Sequence, residues 1–106
     1  LDNAANFDPS RIDRTIHSPV RLGILAALIA AEEVEFNFLK RSLSLTDGNL
    51  SSHLSRLEDS GYIKIKKTFR GKRPCTYISL TGKGRRAFEG YVDAMEKLIR
   101  LGRNRE

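Results

Sequence analysis

At 106 residues the chain amounts to about one domain, too small to enclose a deep cleft between two lobes. An apolar share of 40% beside a charged share of 30% suits a small globular fold and excludes a disordered chain. Nineteen Lys and Arg against thirteen Asp and Glu leave a net charge of +6, a balance that fits a polyanionic partner, nucleic acid being the commonest.

Residues Leu1 to Phe7 show no periodicity and are expected to fray, and no signal-peptide layout opens the chain. Asp8-Pro9-Ser10 reads as a helix start with Pro in the first turn, and Ile12 and Ile16 share one face of the short helix that follows. His17-Ser18-Pro19 ends it and opens another, with Ser18 as N-cap and Pro19 at the first helical position. In that helix Leu22, Ile24, Leu25, Leu28 and Ile29 cover more than half the circumference, the pattern of a buried central helix. Its apolar run, Gly23 to Ala31, is the longest in the chain and falls far short of the roughly 20 residues that span a bilayer. No membrane contact is expected.

Val34 fits a very short strand, and Phe36, Leu39 and Leu43 follow at helical spacing with Lys40 and Arg41 facing outward. After the tight connection Ser44 to Gly48, Thr46 caps a helix whose apolar stripe is Leu50, Leu54 and Leu57, and Gly61 stops it. The period then drops to two. Tyr62 to Lys67 and Thr76 to Leu80 read as antiparallel strands, joined by a loop, Arg70 to Pro74, with a turn-making Gly and a strand-breaking Pro. Thr81 caps a last helix reaching about Arg100, which Gly82, Gly84 and Gly90 weaken by roughly 1 kcal/mol each against Ala.

Two short helices leading into a two-stranded hairpin form a winged helix-turn-helix layout. The stretch from His17-Ser18-Pro19-Val20-Arg21 through Leu45-Thr46-Asp47-Gly48-Asn49-Leu50-Ser51-Ser52-His53-Leu54 to Leu57-Glu58-Asp59-Ser60-Gly61-Tyr62-Ile63 resembles the winged-helix transcriptional regulators related to the MarR and ArsR groups. Thr76 to Gly84 is similar to the way the second wing strand of those regulators enters their final helix. The fold class expected is mainly α with a small β-hairpin wing (α+β). Residues 1–106 would form a single domain, with 8–80 as the winged-helix core and 81–101 as a C-terminal dimerisation helix.

With Leu50, Leu54 and Leu57 turned inward, Gly48, Ser52, Ser55 and Asp59 lie on the opposite side of their helix, flanked by Asn49, Ser51 and Arg56. Small side chains let a helix backbone enter a major groove about 12 Å wide, where Asn and Arg can pair with adenine and guanine edges. Asn49, Ser51, Ser52, Ser55 and Arg56 are therefore the base-reading candidates, although Ser and Asn are also ordinary solvated residues. Residues 62–74 hold Lys64, Lys66, Lys67, Arg70, Lys72 and Arg73 and no acidic residue. Lysines on an edge strand commonly serve only to block aggregation. Six like charges on one hairpin exceed that need and fit phosphates or a narrow minor groove. The serine-bearing side of 47–59 and the lysine-bearing ribbon are expected to look outward in one direction. Arg21, Lys40 and Arg41 are secondary phosphate candidates.

On the last helix Ala87, Phe88, Tyr91, Val92, Met95, Leu98 and Ile99 make an apolar stripe about 30 Å long. It is longer than a core of this size covers, and a second copy of the chain is the simplest cover. Phe88, Tyr91, Val92, Met95, Leu98 and Ile99, joined by Ile12 and Ile16, are the dimer candidates, and terminal helices pair in the regulators the chain resembles.

His17 and His53 read as structural, since they lack carboxylate partners at ligand spacing and form no HxxH or HExxH pattern. Cys75 stands alone, so no internal disulfide or Cys-based zinc site is expected and a reducing cytoplasm is the default. Its cationic neighbours leave a redox role open. No cofactor, metal or catalytic set is expected. The partners implied are double-stranded DNA, a second copy and a small apolar effector between dimer helices. An interaction scaffold or a non-specific architectural chromatin protein are the alternatives.

Overall fold

The structure, a computed structural model, describes residues 7–103. The fraying expected of residues 1–6 lies outside the described residues. A 3₁₀ turn, Pro9–Arg11, precedes four helices and three strands: α1 (Pro19–Ala31), β1 (Glu33–Glu35), α2 (Phe36–Ser42), α3 (Asp47–Asp59), β2 (Ile63–Arg70), β3 (Arg73–Leu80) and α4 (Gly82–Arg103). The strands form one antiparallel sheet in the order β1-β3-β2.

The helix expected from Asp8 shrinks to that single turn. The Asp8 carboxylate accepts from the amide and hydroxyl of Ser10, and the Asp13 carboxylate accepts from the amides of Thr15 and Ile16. Such local bonds offer the backbone an alternative to helix. The chain still delivers Ile16 into the core, where it is fully buried.

Local signals set the starts of α1, α3 and α4 and the end of α3. Ser18 accepts from the Arg21 amide with Pro19 at the first helical position. Thr46 accepts from the Asn49 amide at 3.1 Å. At the far end of α3 Gly61 adopts φ +80, its amide donates to Glu58 O and that of Tyr62 to Leu57 O, the paired bonds of a Schellman stop. Thr81 accepts from the Gly84 amide at 2.9 Å and donates to the Gly61 carbonyl at 2.7 Å, which ties the start of α4 to the end of α3.

Ile24, Leu25 and Leu28 of α1 sit at the centre, packed with Leu39 of α2, the α3 leucines Leu50, Leu54 and Leu57, and Val34, Ile63 and Ile78 of the sheet. The strands run further than the hydrophobic pattern implied, because Arg70 pairs with Arg73 across a turn of only Gly71 and Lys72. Gly71 takes φ +65 and Lys72 keeps a negative φ, the pattern of a two-residue turn with Gly first. Pro74, expected to break the ribbon, lies inside β3 opposite Phe69. Pairs in an antiparallel ladder alternate, so this one carries no bond to β2, and β1 reaches only Tyr77 to Ser79 on the other side. The missing Pro74 N–H is therefore not required.

Candidate nucleic-acid interface

Burial of Leu50, Leu54 and Leu57 fixes the roll of α3, and Asn49, Ser51, Ser52, Ser55 and Arg56 are all exposed as expected. The helix presents three aspects. Ser51 and Ser55 turn toward the wing and, with Asp47, Leu54 and Glu58, line an open groove of about 790 Å³ whose other wall is Ile65, Lys67 and Thr76. Gly48, Ser52 and Asp59 point outward from the body, and Asn49, His53 and Arg56 lie on the third flank.

That third flank carries a basic cluster. Arg21 Nε donates to the Thr15 carbonyl, and its guanidinium meets His53 Nδ1 at 2.9 Å. Arg21 is thus half-buried and engaged by its own chain, a positioning role for the His53 ring that its sequence position gave no means of foreseeing. Accepting from Arg21 at Nδ1 places the His53 proton on Nε2. Burial, then the charges of Arg21 and Arg56, push the His53 pKa below the ordinary histidine range. A depressed histidine pKa gives stability that is full above the unfolded value of about 6.5 and lost as pH falls through the folded value. The urea midpoint is therefore expected to fall as pH drops below about 6.5, the unfolded value. His53→Asn, which keeps an acceptor for Arg21, should remove that share of the decline; an unchanged pH profile would show that the ring is not held neutral.

The wing divides its cations between two faces. Ile63, Ile65, Lys67 and Phe69 share the face that meets α3, whereas Lys64, Lys66 and Arg70 lie on the opposite one with their partners Ser79, Tyr77 and Arg73. The expectation that the lysine-bearing ribbon and the α3 serines look in one direction holds for Lys67 and fails for Lys64 and Lys66. The reason is that the isoleucine face must pack on the core that α3 also covers. Arg70 donates to the Tyr77 hydroxyl at 2.6 Å, which holds its charge more firmly. Arg41, Arg70 and Arg73 border a small polar cavity of about 230 Å³ with Glu35, Asn37, Pro74 and Cys75. Lys40 is not a free cation, because it pairs with Asp47 at 2.9 Å. Sequence reading ended β2 at Lys67 and missed Phe69, which is 70% exposed near the tip; continuing the period-two pattern from Ile63 would have found it.

Two of the proposed dimer contacts belong to the chain's own core. Ile16 is fully buried, and Tyr91 is packed inside with its hydroxyl 2.8 Å from His17 Nδ1. Ile12, Phe88, Val92 and Met95 are half-buried, and beyond them Leu98 is 39% and Ile99 50% exposed. Beside α4 a groove of about 500 Å³ is lined by Phe7, Asp8, Arg11, Ala87, Gly90 and Ala94, among others. Across the sheet joint Tyr62 donates to the Asp13 carboxylate, and burial together with that bond pushes its pKa up to about 12. Among the described residues no group of three or more His, Cys, Asp or Glu is placed to hold a metal ion, and no helix is long and apolar enough to cross a membrane.

Residues 20–99 match the family model of a winged helix DNA-binding domain. The chain is 43% identical over 93 residues to the uncharacterized protein MJ0432 of Methanocaldococcus jannaschii, spanning 88% of this chain and 98% of that one. It superposes on the transcriptional regulator homologue of Pyrococcus horikoshii OT3 with a TM-score of 0.78 at 28% identity, covering 93% of this chain and 95% of that one. Overoxidized AbfR, solved bound to DNA, is similar with a TM-score of 0.64 at 28% identity over 73% of this chain and 56% of its own. The kinship with MarR-like regulators expected from the sequence holds in these neighbours. On the family match and the shared fold, the chain belongs to the winged helix DNA-binding domain family, the fold of DNA-binding transcriptional regulators.

Proposed function

We propose that the chain acts in the cytoplasm as a homodimeric, sequence-specific regulator of transcription on double-stranded DNA. Residues 8–80 serve as the DNA-binding core and residues 81–101 pair two copies. Each α3 enters a major groove, the two half-sites lying about 34–36 Å apart, and the wings reach the flanking backbone and minor groove. The observation that carries this reading is the solvent-facing side of α3. Its exposed positions from Gly48 to Ser55 hold only Gly48, Asn49 and three serines, small side chains that let the backbone approach base edges, with Arg56 beside them and the carboxylates Asp47, Glu58 and Asp59 confined to the two ends of the helix. The basic tip of the wing, Arg70 to Arg73, stands beyond it. Pairing through α4 is supported by the partly exposed Leu98 and Ile99, and the groove beside α4 is where a small effector would alter the spacing of the two copies.

Anisotropy titration against duplexes selected from a random pool tests the reading. Binding is expected to weaken linearly on a log–log plot against salt, as counterion release requires. Absence of binding to any duplex overturns it, and equal affinity for selected and random duplexes would leave an architectural protein instead. Leu98→Glu with Ile99→Glu is expected to give a single-chain species in sedimentation and to lower affinity for a paired site by at least about a hundredfold, the avidity of two linked modules. Wild-type protein sedimenting as a single chain at micromolar concentration would remove the paired geometry.

A further inference from the structure

Among the described residues Phe69 is the most exposed of the large apolar side chains, at 70%, and stands one residue from the end of a paired ribbon. Burying an aromatic ring is strongly favourable, and nothing in this fold requires one at the tip. Directly across from it in the register is Pro74, also exposed, so two apolar residues stand opposite each other at the end of the ribbon, Pro74 also bordering the cavity with Arg70 and Arg73. The face of Phe69 is the one that carries Ile65 and Lys67 along the α3 groove. Around the pair stand Lys67, Arg70, Lys72 and Arg73, and residues 62–74 contain no carboxylate. The two-residue turn and the eight paired positions of the ribbon hold the tip in one shape.

We propose that Phe69, backed by Pro74, is a wedge that enters the minor groove of bound DNA and partly unstacks one base step, bending the duplex. The inference rests on the DNA-binding reading above and adds to it a residue that sets where and how the DNA deforms. An apolar side chain amid cations suits this task because the cations bring the tip to the phosphates while the ring replaces lost base stacking. A second copy of the chain is disfavoured as occupant, since two such tips would bring eight like charges together. Unstacking is easiest at pyrimidine–purine steps, so the wing is expected to favour a TA or CA/TG step where it lands, without any hydrogen bond to it.

The test uses the full chain and a duplex enriched from a random-sequence pool, with 2-aminopurine substituted in turn through the positions flanking the α3 contacts. Wild-type protein is expected to raise the fluorescence at one step in each half-site and to bring end-attached dyes closer by energy transfer. Phe69→Ala should abolish both signals and weaken binding about tenfold, the loss typical of one stacked aromatic. Phe69→Leu, which keeps an apolar wedge, should retain most of the bend. Because Phe69 is exposed, both variants should melt with the wild type. Binding without a fluorescence rise at any step overturns the wedge alone, as does a Phe69→Ala variant that keeps bend and affinity. Failure to bind any duplex overturns the DNA-binding reading along with it.

Discussion

Replacing Gly84 with Ala is expected to destabilise the chain by about 3 kcal/mol or more, because overpacking here meets backbone rather than a movable side chain. A Cβ at Gly84 would stand 2.1 Å from the Tyr62 carbonyl oxygen, 2.9 Å from its carbon and 3.0 Å from Leu80 Cδ1. That carbonyl cannot simply retreat, since it accepts from the Thr81 amide at 3.0 Å. The residues around it join the end of α3, both wing strands and the start of α4, with Thr81 also bonded to the Gly61 carbonyl. A shift at this joint would therefore change the angle between the wing and α4 as well as the packing. Gly90, on the same helix, has no atom within 4 Å of its would-be Cβ. Gly90→Ala should accordingly stabilise by about 0.5–1 kcal/mol through helix propensity alone. Urea unfolding of both variants at one fixed protein concentration checks the pair. Equal midpoints would mean that the α3–α4 joint yields freely.

Gly84 also marks where the sequence stops being readable. Its propensity cost is visible in the sequence, but the carbonyl that demands a glycine lies 22 positions away and arrives only with the fold. By contrast, α1 and α3 are legible because their determinants are local: Ser18 and Thr46 cap the first turns, the apolar residues recur at helical period, and Gly61 supplies the left-handed stop. The segment after Asp8 failed for an equally local reason. Spacing of Ile12 and Ile16 fits a helix, yet the Asp8 and Asp13 carboxylates bind amides two and three residues on and close turns instead. In the wing, alternation separated Lys64 and Lys66 from the isoleucines correctly. What alternation lacks is the direction of α3, which packs on the isoleucine side. The α4 stripe shows the same limit. Nothing in its spacing distinguishes Tyr91, sealed against His17, from Ile99, which is half exposed.

Converting Arg70, Lys72 and Arg73 together to Ala is expected to weaken binding to every duplex alike, on the order of a hundredfold at physiological salt. The slope of log affinity against log salt should become shallower by about three, one for each phosphate contact removed. All three side chains are exposed, and the one polar bond lost is the exposed contact of Arg70 with Tyr77, so the fold should survive. On the proposed reading the two-faced ribbon is an advantage. Lys67 on one face and Arg70 and Arg73 on the other flank the Phe69 tip, so cations reach phosphates on either side of the point where it enters the groove. Single changes separate these roles from base reading. Lys67→Ala and Arg73→Ala should each flatten the salt slope by about one, whereas Asn49→Ala or Arg56→Ala should leave the slope nearly intact and relax preference at one base pair by about 1–3 kcal/mol. If the triple variant keeps the wild-type slope, the hairpin does not touch phosphates, and its lysines and arginines only keep an open strand edge from pairing with other chains.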